Sequence, residues 1–103
     1  MVEKKQENEP NSKDQRMAVA WNELGNAYLQ NNSKKEAEGC YRKSVDALEI
    51  LKDANANTKS MPWINLGFVL HLQGRLDEAE SAFRSAIDIR ESVYGPNDRE
   101  SFA

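Results

Sequence analysis

Apolar residues in the first half of the chain recur at helical steps. Trp21, Leu24 and Tyr28 stand three and four residues apart, which places them on one face of an amphipathic helix predicted from about Arg16 to Gln30. Asn31 and Asn32 interrupt the pattern. Ser33 followed by Glu36 has the spacing of a capping box, so a second helix is predicted from Lys34 to about Asp53, with Ala37, Cys40, Tyr41, Val45 and Leu48 on its buried side. Ala54 to Thr58 reads as a short polar connector. Ser60 and Pro62 suit the start of a third helix, and Gly74 suits its end because glycine accepts the left-handed cap. A fourth helix carries Leu76, Ala79, Phe83, Ile87 and Val93, and Gly95-Pro96 is expected to stop it.

These four segments are two copies of one unit. A shift of 42 residues aligns Trp21 with Trp63, Leu24 with Leu66, Gly25 with Gly67, and Glu36-Ala37-Glu38 with Glu78-Ala79-Glu80. The register continues without a gap through Arg42 with Arg84, Asp46 with Asp88 and Glu49 with Glu91, and Tyr41 meets Phe83. Within each copy, small and large residues alternate in a way that lets two helices pair. Gly25 and Gly67 permit close approach, Ala37 and Ala79 supply a matching small surface, and Tyr41 or Phe83 fills the space beyond.

Trp21-Leu24-Gly25-Tyr28 with Ala37 and Tyr41, and Trp63-Leu66-Gly67 with Ala79 and Phe83, resemble the tetratricopeptide repeat pattern. The resemblance implies an all-α fold of two antiparallel helix-turn-helix hairpins, a segment of a right-handed α-solenoid, and covers about Ala18 to the end. The family's usual repeat is about 34 residues, so the longer period, with the run from Ala86 to Asp98, is similar to the long-repeat subclass typified by kinesin light chains. Ser44 in place of alanine, Asn32 in place of a turn glycine, and Glu49 and Glu91 in place of proline depart from the pattern at helix ends and packing positions. The expected organisation is a disordered charged tail over 1–15, hairpins over 16–53 and 59–94 within a folded unit of 16–95, and a linker over 96–103 that opens a third repeat.

Composition narrows the function classes. Charged residues are 30% of the chain, with both signs interspersed and a net charge of -3, and no basic stripe argues for nucleic acid. No apolar run is long enough for a membrane span or a signal peptide core, so no membrane partner is expected and the cytosol is the default compartment. One cysteine, Cys40, and one histidine, His71, provide neither a disulfide nor a metal site. With no nucleophile and base pair, phosphate loop or convergent carboxylates, no cofactor and no catalysis are expected. Asp77 and Glu78 stand at a helix start, where they favour the dipole.

Function therefore rests on the surface that packing leaves over. The resemblance implies that the first helix of each copy forms an inner wall facing a groove. Beside the packing stripe, that wall carries Asn22, Asn26 and Leu29 in the first copy, and Ile64, Asn65, Phe68, His71 and Leu72 in the second. Amides that both donate and accept, set among apolar side chains, suit a bound peptide or partner-protein segment. The family's chaperone-tail receptors carry lysine where Asn22 stands, which argues against that use here. The competing reading is structural. Two repeats bury little surface, so the open edge of the last helix is expected to stack on further repeats or on another copy.

Overall fold

The computed structural model describes residues 10–51 and 54–94, with side chains over 15–51 and 54–93. The chain is all-α, with four helices over the described residues: α1 (Pro10–Gln30), α2 (Lys34–Ile50), α3 (Ala56–Leu72) and α4 (Leu76–Tyr94). The helices pack as hairpins α1–α2 and α3–α4, α2 packs on α3, and α1 touches α3 more lightly. Tyr41 is fully buried at the centre, among Ala37, Leu66, Val69, Leu70, Ala79 and Ala82. Trp63, Phe83, Tyr28 and Leu29 close this core from its rim. A smaller cluster of Ala18, Leu48 and Leu51 ties the other end of the first hairpin.

The two hairpin turns share one hydrogen-bond scheme at the same register. Asn32 (φ 65°) and Gly74 (φ 82°) both adopt the left-handed conformation. Asn32 N–H donates to the Leu29 carbonyl at 2.9 Å and Ser33 N–H to Tyr28 at 2.8 Å. Gly74 N–H donates to His71 at 2.9 Å and Arg75 N–H to Leu70 at 3.0 Å. These are paired Schellman caps, which satisfy the carbonyls left over at the ends of α1 and α3. Asparagine serves at the first turn because its short side chain tolerates this backbone region.

Four expectations need correction. Residues 10–15 are helical, where a disordered tail was expected; residues 1–9, the stop at Gly95-Pro96 and the third-repeat opening over 96–103 lie outside the described residues. The capping box at Ser33 is not made: its side chain makes no cap hydrogen bond, and its backbone is already engaged in the Schellman turn. α3 starts at Ala56, because the Asn55 side chain accepts from the Thr58 N–H at 2.8 Å and so supplies a first-turn amide with a partner. Pro62, read as a start signal, is consequently a buried residue inside the helix. Finally, Leu24, Leu76, Ile87 and Val93, read as packing positions, are exposed. They lie on the two outer helices, where no described helix covers them.

Among the described residues, buried polar side-chain atoms all have hydrogen-bond partners. Ser44 Oγ donates to the Ala18 carbonyl at 2.7 Å, so the departure from alanine adds a clasp between α1 and α2 without leaving a hydroxyl unpaired. Cys40 is a buried free thiol, and burial pushes its pKa up, as expected of a small apolar filler.

An ion cluster joins the hairpins. Glu38 on α2 accepts from Arg75 Nη1 at 2.7 Å, from Gln73 at 3.0 Å and from Arg42 at 3.0 Å, and Arg75 also pairs with Glu78 at 2.7 Å. Burial alone would raise the Glu38 pKa, but the hydrogen bonds from Gln73, Arg75 and Arg42 outweigh it and hold the carboxyl below its ordinary value of 4.5. A depressed carboxylate contributes stability that is present above its unfolded value and is lost as pH falls through the folded one. Thermal melts taken from about pH 7 to about pH 3 should therefore show Tm falling below the ordinary glutamate range, and Glu38→Gln should make that fall shallower. An unchanged pH profile in Glu38→Gln would show that the cluster contributes nothing to folding.

Candidate partner-binding surface

α1 and α3 lie side by side, joined by a hydrogen bond from Asn65 Nδ2 to Asn22 Oδ1 at 2.9 Å. On the surface they share, α3 carries a line of exposed apolar side chains, Met61, Ile64, Phe68 and Leu72, spaced three and four residues apart and so aligned along one side of the helix. The 42-residue register places Val19, Asn22, Asn26 and Gln30 at the matching positions of α1. One wall is apolar and the other is mostly amide.

The asparagines are not equivalent. The Asn22–Asn65 bond occupies one acceptor lone pair of the first and one amide proton of the second, so both side chains keep hydrogen-bonding capacity for a bound backbone. Asn26 is committed differently, since its Oδ1 accepts from the hydroxyl of the buried Tyr41 at 2.5 Å. Burial pushes the Tyr41 pKa up, with Cys40 and Glu23 adding to it, so the hydroxyl stays a neutral donor. In the second copy Phe83 replaces Tyr41 and Phe68 replaces Asn26. The two substitutions go together: without a buried hydroxyl to satisfy, the groove position can become apolar.

Among the other expected site residues, Ile64 and Phe68 are exposed on α3, Asn65 is half-buried, and Leu29 packs against the central core. Leu29 therefore belongs to the joint between hairpins. His71 is its register equivalent and is exposed, but it lines a different feature, an open groove of about 430 Å³ on the outer side of α4 with Leu76, Ala79, Phe83 and Ile87. Leu72, expected on this wall, is exposed there, while Val19 and Met61 complete the α1–α3 surface and were missing from the expected set. Extending the 42-residue register from Asn22 and Ile64 by three residues in the N-terminal direction would have found both.

Other surfaces are plainer. Lys43 Nζ sits 4.6 Å from the centroid of the half-buried Trp21 ring, a cation–π contact that covers the tryptophan's outer side. No helix among the described residues is long and apolar enough to cross a membrane.

Two family models, both described as tetratricopeptide repeat, match the chain at residues 18–47 and 64–100. The matched spans fall one on each hairpin. No curated protein and no solved structure matched the chain. With a repeat match on each hairpin and two hairpins closed by the same turn, the chain belongs to the tetratricopeptide repeat family, whose repeats generally mediate protein–protein interactions.

Proposed function

We propose that the chain is an adaptor that holds a peptide or a segment of a partner protein along the α1–α3 surface. The observation that supports this reading most is the line of exposed Met61, Ile64, Phe68 and Leu72 beside the Asn22–Asn65 pair. A soluble domain gains nothing in folding from four aligned apolar side chains left in water, whereas a bound segment would cover them. The amides supply the backbone hydrogen bonds that fix such a segment's position. Phe68 and Ile64 are assigned to its side chains, Asn22 and Asn65 to its backbone, and Asn26 to holding Tyr41. The reading is of a binding module without catalysis, and a buried free thiol as the sole cysteine fits a cytosolic setting.

The test is to select binders from a random peptide library on the intact chain and measure them against variants. Phe68→Ala should weaken a selected peptide by at least about tenfold, since burying a phenylalanine contributes about 1.5–3 kcal/mol, while the helical circular dichroism stays unchanged. Asn65→Ala should weaken it less, and Arg84→Ala on the outer side of α4 should leave it unaffected. Peptides that bind Phe68→Ala and Ile64→Ala as tightly as the unaltered chain would refute the assignment.

A further inference from the structure

The joint between the hairpins has counterparts on α1 and α4 that no described helix covers. Within the chain, α3 docks on α2 by pressing Leu66 and Leu70 onto Ala37 and Tyr41. By the 42-residue register α1 is the equivalent of α3, and α4 the equivalent of α2. Among the described residues, both equivalents leave apolar side chains exposed that the internal joint buries. Leu66 is 2% exposed but its counterpart Leu24 is 43% exposed, and Val45 is 5% exposed but its counterpart Ile87 is 47% exposed. In the open groove, Ala79, Phe83 and Ile87 thus stand at the register positions of Ala37, Tyr41 and Val45, the side chains of α2 that meet α3 inside the chain.

We propose that a second copy of this chain fills that groove, placing the Leu24 side of its α1 on the α4 of the first copy in the geometry by which α3 sits on α2. The contact is heterologous, joining head to tail, and each added copy presents a new bare α4, so the assembly is open-ended. It uses a face distinct from the proposed α1–α3 binding surface, and either can fail without the other.

The joint between copies is weaker than the one inside the chain, for two reasons visible in the register. Glu38 meets Arg75 and Gln73, whereas Glu80 would meet Ser33 and Asn31, which bring no positive charge. The Asn65–Asn22 bond is replaced by Glu23 beside Ile64, a carboxylate against an apolar side chain. Assembly is therefore driven by concentration.

Sedimentation equilibrium on the intact chain, from roughly 1 μM to 1 mM, tests this. The unaltered chain should gain mass continuously past two copies. Leu24→Glu and Ile87→Glu should each be monomeric alone, because each spoils one half of the joint. Mixed in equal amounts they should give a dimer and nothing larger, since one intact α4 face then meets one intact α1 face. Ala20→Glu and Leu76→Glu, at other exposed positions of the same two faces, serve as replacements if either variant loses its helical circular dichroism. An unaltered chain that stays monomeric throughout, or one whose mass stops at two with Leu24→Glu still dimeric, overturns the proposal; the latter result would mean that α4 pairs with α4.

Discussion

Tyr41→Ala should destabilise the chain by about 3–5 kcal/mol, the range for truncating a buried aromatic residue, and leave it largely unfolded at ambient temperature. The expectation follows from the position of the ring. Tyr41 is fully buried where α1, α2 and α3 meet, and a domain of this size has only a few kcal/mol of stability to lose. Phe83→Ala, at the same register but on the open side of the second hairpin, should cost less, because its ring is half-buried and lines the solvent-facing groove. Urea titrations followed by circular dichroism would compare the two. Equal losses would contradict the placement of Tyr41 at the centre and Phe83 at the edge.

Gly25→Ala and Gly67→Ala form the second contrast. A Cβ on Gly25 would lie 2.6 Å from the Tyr41 ring, and one on Gly67 would lie 2.8 Å from the Phe83 ring. Both distances are too short, yet the outcomes should differ. Tyr41 is enclosed and its hydroxyl is held by Asn26, so the ring cannot retreat, and overpacking costs about 1–3 kcal/mol beyond the helix-propensity gain of about 1 kcal/mol from alanine. Phe83 borders open space and can swing outward. Gly67→Ala should therefore lie near neutral, while Gly25→Ala lowers the denaturation midpoint clearly. The reverse order would show that the ring on the open side is the more rigidly held.

Much of this was legible before any coordinates. The internal register located both hairpins and the glycines at which their helices approach closely, and glycine's tolerance of the left-handed cap located the turn at Gly74; that Gly25 and Gly67 face the rings of Tyr41 and Phe83 came from the packing. What the register could not locate was set by competition among short-range signals or by exposure. Pro62 and Asn55 both mark helix starts; Asn55 prevails because its side chain bonds the Thr58 amide. Ser33 has capping-box spacing, but the left-handed Asn32 commits the turn to backbone bonds. The pattern of Leu24 and Ile87 marks them as packing residues, and sequence periodicity has no means of saying whether the helix they would pack on is present. The candidate surface was half legible. The asparagines on α1 and α3 were identified, but that Asn26 is spent on a buried tyrosine, and that Leu29 and His71 belong to the stacking face, depends on contacts between residues distant in sequence.

The most direct test of the α1–α3 surface as the working face is an amide chemical-shift titration of the isotopically labelled chain with a library-selected peptide, at a concentration where the chain is monomeric. Expected are perturbations concentrated at Val19, Asn22, Met61, Asn65, Phe68 and Leu72, with little change along the outer side of α4. Perturbations centred on Leu76, Phe83 and Ile87 instead, with the Asn22–Asn65 region silent, would contradict that assignment and make the stacking groove the site of partner capture.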